Sequence, residues 1–239
     1  MFAIAKSDGQ GFIFTGPGLS PFPVAGGFGT GRSGEELKEH MKRGYEAARP
    51  SGWDPAERIK DQDVDGVEAE VLYTTLGMPL FNLRDADLQR ACFSAYNDWL
   101  AEFCAYNPKR LVGTALISLE DIPQGVKELE RCVKKGLRGA MIWGSPPADK
   151  PYSARVYDPL WQSASEHEFP LSLHVITGKS NESDMGALSE AMGLANSIKL
   201  LEGRGATPRL FGRTAMAPRP IRSSWVTGCR YRAGIRIQA

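Results

Sequence analysis

Histidine is scarce in this sequence: His40, His167 and His174 are the only three in 239 residues. A catalytic zinc takes about three protein ligands and keeps one position open for water. A site built on imidazole alone would therefore need all three. No apolar run reaches the 18 or more residues of a membrane-spanning helix, and the start, Met1 to Lys6, lacks the apolar stretch of a secretory leader. The four cysteines, Cys92, Cys104, Cys132 and Cys229, form no CxxC pair. Three of them fall in helical patterns as small buried thiols, which points to a reducing cytoplasm. A GxSxG nucleophile elbow is missing, and this weakens a serine-hydrolase reading.

One further absence is local. No acidic residue follows Glu202, yet eight arginines do (Arg204, Arg209, Arg213, Arg219, Arg222, Arg230, Arg232 and Arg236), with no lysine among them. Phe211, Trp225 and Tyr231 lie too far apart to make a base-stacking surface, so nucleic acid is an unfavoured partner. A disordered tail is a second reading. Translation of a shifted reading frame accounts best for an arginine-rich, lysine-free stretch.

What is present has a repeating order. Residues 1–34, rich in Gly, Pro and Phe, are expected to be irregular, and Glu35 to Arg49 turns helical and polar. A helix from Pro55 to Gly66 precedes a strand from Ala69 to Thr75. The next helix begins near Asp85, and its apolar positions Leu88, Cys92, Ala95, Trp99, Phe103 and Tyr106 step by three and four to give one expected buried stripe. Pro108 stops it. Then follow the strand Leu111 to Leu119, a helix capped by Asp121 and ended by Gly136, the strand Leu137 to Trp143, a helix from Pro159 to Glu168, and the strand Phe169 to Val175, with His174 near its carboxyl end. Ala187 to Leu201 reads as one more helix.

Apolar strands separated by helices make a parallel sheet covered on both faces. The strand centres Tyr73, Ala115, Met141 and Leu173 lie 26 to 42 residues apart, the span of βα units. Four such units fit a barrel or a doubly wound sheet, and both place chemistry at the carboxyl ends of strands. Four loops are thereby singled out: Thr74 to Asn82, Ser118 to Asp121, Trp143 to Pro151 and His174 to Asn181. His174, at such an end, is either a metal ligand or proton carrier, or a core histidine bonded to a carbonyl. His40 is expected on a solvated helix face, and His167 at the opposite, amino-terminal rim. Trp143 could line a substrate pocket or simply pack in the core. Gly29 to Gly34 matches GxGxxG but follows no apolar strand, so dinucleotide binding is discounted. Gly178-Lys179-Ser180 lacks the earlier glycine of a phosphate loop.

Five phrases taken in order carry a resemblance: Ile59 to Tyr73, Leu111 to Gly113, Gly139 to Trp143, Tyr157 to Trp161, and Phe169 to His174. From about Ser33 to Gly205 the chain resembles the amidohydrolase-related family of metal-dependent barrels that includes aminocarboxymuconate-semialdehyde decarboxylase. The resemblance implies an α/β fold of the (β/α)₈ TIM-barrel type, with about four βα units present, and one divalent metal, usually zinc. It implies hydrolysis or non-oxidative decarboxylation of a small carboxylated or aromatic substrate. The family's strand-five metal ligand matches His174. Nothing in residues 1–34 matches the Asp-x-His or His-x-His of its first strand, and the likeness stops near Gly205, before its catalytic histidine and metal-binding aspartate. The expected organisation is an N-terminal segment (1–34), a partial barrel (35–205) and the arginine-rich tail (206–239). Weak metal binding and low activity follow for the chain as written, and a non-catalytic subunit that pairs its open strand edges with another copy is the alternative.

Overall fold

The computed structural model describes residues 31–174 without a break, together with 3–7, 11–16, 19, 21–25, 29, 177 and 178. The expected helix over Ala187 to Leu201 and the tail 206–239 lie outside the described residues.

The N-terminal segment is more regular than its composition suggests. Strands β1 (Ala3–Ser7), β2 (Gly11–Thr15) and β3 (Phe22–Pro23) form an antiparallel sheet. Ala3 pairs with Thr15, and Ile13 with Pro23. Antiparallel strands need only a short connection, and Gly11 (φ 74°) supplies the left-handed backbone where β2 begins. An added Cβ there would also fall 1.7 Å from the Met41 carbonyl oxygen, so the glycine lets the sheet and the next helix touch. That helix, α1 (Gly34–Arg43), ends at Gly44 (φ 58°), short of the Arg49 suggested by composition. His40 is buried at 5% exposure, not solvated, with Nε2 3.2 Å from the Ala25 carbonyl oxygen. Burying the ring lets α1 dock on the segment before it.

The main body is a second sheet, parallel, in the order β4-β5-β6-β7. Helix α2 (Pro55–Asp65) starts on Asp54, whose carboxylate accepts from Ala56 N at 2.8 Å, and ends at left-handed Gly66. It leads to β4 (Glu70–Leu72), shorter than the apolar run from Ala69 to Thr75. Helix α3 (Ala86–Ala105), capped by Asp85, leads to β5 (Leu111–Leu116). Helix α4 (Ile122–Lys134), capped by Asp121, leads to β6 (Gly139–Trp143). Helix α5 (Asp158–Glu166) leads to β7 (Leu171–His174). Each crossover carries a helix across the sheet because parallel neighbours cannot be joined by a tight turn.

The core lies where the helices meet the sheet. Phe93, Leu100, Leu111, Ala115, Leu129 and Leu160 are all at most 1% exposed. Gly113 lets α3 approach: a Cβ there would lie 2.6 Å from Leu137 Cδ2 and 3.0 Å from Cys104 Sγ. The buried Glu70 carboxylate ties β4 to α2, accepting two bonds from Arg58 (2.6 and 2.9 Å) and one from Gln62 Nε2 at 2.8 Å.

The buried face of α3 differs from the expected stripe. Ala95 is exposed, as are Trp99 (42%) and Tyr106 (59%). Phe103 of that stripe is buried, at 6%, but the rest of the inward face is Gln89, Phe93, Asn97, Leu100, Ala101 and Cys104. Gln89 and Asn97 have no exposed surface. Asn97 accepts from Leu116 N at 2.8 Å and donates to Leu116 O at 3.0 Å. Gln89 donates to the carbonyls of Leu80 (3.0 Å) and Phe81 (3.1 Å) and accepts from Ser118 Oγ at 2.5 Å. Asn97 satisfies backbone groups at the end of β5 and Gln89 those of the segment after β4, as buried polar groups require. Counting apolar residues cannot find that face.

Candidate functional site

Register places the site. Met141 pairs with Ser172 and Trp143 with His174, and alternate residues of a strand share a face. All four side chains therefore issue from one side of the sheet, opposite the face where Gly113 meets α3. Leu116 pairs with Met141, and Val71 with Val112. Tyr73, two residues beyond Val71, lies on this inner side too. Its hydroxyl meets Ser172 Oγ at 2.8 Å. Tyr73 and Ser172 belong to strands three spacings apart, about 14 Å in a flat sheet. Two side chains bridge that gap only because the sheet curls, so the inner face is concave.

The two residues singled out by sequence, Trp143 and His174, are thus brought side by side at the carboxyl ends of β6 and β7. Trp143 is 2% exposed, and its carbonyl accepts from Tyr152 OH at 2.6 Å. His174 is half-buried, and desolvation holds its pKa below the usual imidazole value, which favours the neutral ring. Thr177, with no exposed surface, clasps the two strand ends. Its hydroxyl accepts from Gly144 N at 2.9 Å and lies 2.8 Å from the His174 carbonyl oxygen and 3.1 Å from that of Ile142. Tyr152, Tyr157 and Trp161 pack edge-to-face and tilted, with ring centroids 5.1 to 5.8 Å apart, which holds the loop after Trp143.

The other candidates take structural posts. Asp121 caps α4, accepting from Gln124 N at 3.0 Å. Thr74 Oγ1 accepts from Gly77 N at 2.8 Å to close the turn after β4. His167 is exposed beyond the end of α5, before β7 begins. Most of the fourth loop lies outside the described residues. Among the described residues no three His, Cys, Asp or Glu side chains are grouped to hold a metal ion. The described strand ends supply one imidazole, His174, where a catalytic zinc needs about three ligands. Sequence reasoning missed Tyr73, Ser172 and Thr177, whose roles are hydrogen bonds between residues up to 99 positions apart. No local pattern marks them.

A groove of ≈ 1330 Å³ runs along β4, lined by Trp53, Arg58, Glu70, Tyr73, Trp99 and Phe103 among others. It includes neither Trp143 nor His174. No described helix is long and apolar enough to cross a membrane.

A curled parallel sheet, sheathed by helices on its outer face and carrying its polar groups at the carboxyl ends of strands, is part of a (β/α) barrel. An amidohydrolase family model, Amidohydro_2, matches residues 21–201, and the chain belongs to that family. A gamma-resorcylate decarboxylase from Polaromonas sp. strain JS666 is 33% identical over 125 residues, covering 49% of this chain and 37% of that relative. A 2-amino-3-carboxymuconate-6-semialdehyde decarboxylase from Dictyostelium discoideum is 33% identical over 92 residues, 38% of this chain and 25% of the relative. A crystal structure of a dihydroxybenzoic acid decarboxylase from Polaromonas sp. JS666, with bound manganese and the inhibitor 2-nitroresorcinol, superposes with a TM-score of 0.49 at 22% identity. That match covers 81% of this chain and 53% of the other. The chain thus spans well under half the length of the curated relatives it matches, and those relatives are enzymes.

Proposed function

We propose that this chain carries the central strands of a non-oxidative decarboxylase for small aromatic carboxylates, with His174 as its one described metal ligand. The observation that carries the reading is the position of His174: at the carboxyl end of β7, on the concave face, in register with Trp143. Family membership and the names of the relatives support it. A divalent ion in such a site supplies Lewis-acid polarisation of a bound carboxylate. The described residues do not complete that site, and we propose that the chain as written holds the ion weakly and turns over slowly.

Manganese(II) serves as probe because its free and bound forms are told apart by electron paramagnetic resonance. The 239-residue protein should bind it weakly, and His174→Ala should abolish that binding. Carbon dioxide release from 2,6-dihydroxybenzoate should be slow and manganese-dependent. Tight, stoichiometric metal in the purified protein would overturn the weak-site reading, and binding unchanged in His174→Ala would remove the ligand assignment.

A second reading, association with another copy through open strand edges, draws on β4, which has no strand beyond it among the described residues. A clean monomer with cooperative unfolding on size-exclusion chromatography counts against it.

A further inference from the structure

A side chain makes the rung that ends the β6–β7 ladder. Ala140 N donates to Pro170 O at 3.0 Å. Rungs of a parallel ladder recur every two residues along both strands, which brings Ile142 N to Ser172 O and next Gly144 N to His174 O. At that last step the Thr177 hydroxyl stands between the two groups. Its Oγ1 accepts from Gly144 N at 2.9 Å and lies 2.8 Å from the His174 carbonyl oxygen. The Ile142 carbonyl oxygen is farther away, at 3.1 Å. A threonine hydroxyl has one hydrogen to give, and the His174 carbonyl is its nearer acceptor.

The bridge is built to hold one position. Thr177 has no exposed surface, so water does not compete for its bonds. Its branched Cβ restricts χ1, and three backbone groups from two strands fix where the oxygen sits. The residue it ties is the one that carries the imidazole. β7 ends at His174, and the ends of elements are where local opening costs least. A metal ligand, by contrast, must keep within about 0.5 Å and 10–20° of its productive geometry. The hydroxyl removes the freedom that a strand end would otherwise have.

We propose that Thr177 is a positioning residue for the metal ligand: its hydroxyl holds the end of β7 against β6, so that the His174 imidazole keeps its aim on the concave face beside Trp143. It acts through the His174 backbone and not by touching the ion. The assignment rests on His174 as a ligand and adds what holds that ligand in place. Partners that fix a ligand's orientation are worth about tenfold to a hundredfold in metal affinity.

Manganese titration of the 239-residue protein, read by electron paramagnetic resonance, is the test, with urea unfolding of each sample beside it. Thr177→Val has a similar shape without the hydroxyl and should weaken manganese binding about tenfold or more. Thr177→Ser restores the hydroxyl and should stay within about threefold of the unmodified protein. Tyr152→Phe removes a buried hydroxyl from the same rim, 2.6 Å from the Trp143 carbonyl oxygen, and leaves β7 untouched. It should keep manganese affinity within about twofold even though it costs stability. Thr177→Cys, a weaker donor, should fall between Thr177→Ser and Thr177→Val, and it replaces Thr177→Val if that variant does not unfold cooperatively. Three results would overturn the positioning role: binding within about twofold of the unmodified protein in Thr177→Val, no recovery in Thr177→Ser, or equal weakening in Tyr152→Phe. Binding lost in His174→Ala but kept in Thr177→Val removes the positioning role and keeps the ligand. Binding absent from the unmodified protein, or unchanged in His174→Ala, removes both together.

Discussion

Two neighbouring positions on α3 give opposite expectations from sequence and from structure. The apolar stripe predicts that Ala95 is buried and that polar Asn97 faces water. The structure has Ala95 exposed and Asn97 fully buried. Asn97→Ala removes the donor to Leu116 O, the acceptor for Leu116 N and the 2.8 Å bond to Glu128 Oε1. Leu116 is itself fully buried, so its N–H and C=O lose their side-chain partner inside the protein. Each orphaned group costs about 1–3 kcal/mol, which makes about 4 kcal/mol a central expectation. Glu128 adds little to this sum, because Arg131 still donates to it at 2.7 Å through both Nε and Nη2. Against a typical stability of about 5–15 kcal/mol, that loss is a large share of the total. Ala95→Glu, placed on the exposed side, should change stability by under about 0.5 kcal/mol. Urea unfolding followed by far-ultraviolet circular dichroism measures both. A loss below about 1 kcal/mol for Asn97→Ala, or above about 2 kcal/mol for Ala95→Glu, would refute the assignment of the buried face.

Two further outcomes follow from buried titratable groups. Burial lowers the His174 pKa, so the folded protein keeps the ring neutral where the unfolded chain, titrating near pH 6.5, already takes a proton. The unfolded state then binds more protons in that window, and stability should fall as pH drops from about 6.5 toward the folded value. His174→Asn should flatten this slope in chemical unfolding measured from pH 7 to pH 5; an unchanged slope removes the group's contribution. Burial also pushes the Cys104 thiol up to about 12 and the Cys132 thiol higher still, while Cys92, half-buried, is raised less. Thiolate is the reactive form, so N-ethylmaleimide at pH 8 should label Cys92 ahead of both. Native labelling of Cys104 at the Cys92 rate, seen by peptide mass mapping, would contradict the burial.

The sequence by itself determined the order of elements and the end of the sheet where chemistry belongs. Asp85 and Asp121 cap their helices, Pro108 and Gly136 follow helix ends, and the apolar runs Leu111 to Leu119 and Leu137 to Trp143 hold the strands Leu111–Leu116 and Gly139–Trp143. All of these are local: a cap, a missing N–H or an apolar run acts within a few residues, so it is written where it works. His174 at a strand's carboxyl end was legible for the same reason. Tertiary structure alone decided which faces are buried and which side chains meet. Asn97 is inside because the Leu116 backbone at the end of β5 needs partners, and Gln89 because the carbonyls of Leu80 and Phe81 do; His40 is inside because Ala25 lies against it. Residues 3–7 and 11–15 are strands through pairing across the chain rather than through their Gly-rich composition. Tyr73 reaches Ser172 only because four strands curl together. Such contacts join residues 8 to 99 positions apart, and their free energy depends on the closed geometry, which no stretch of sequence possesses alone.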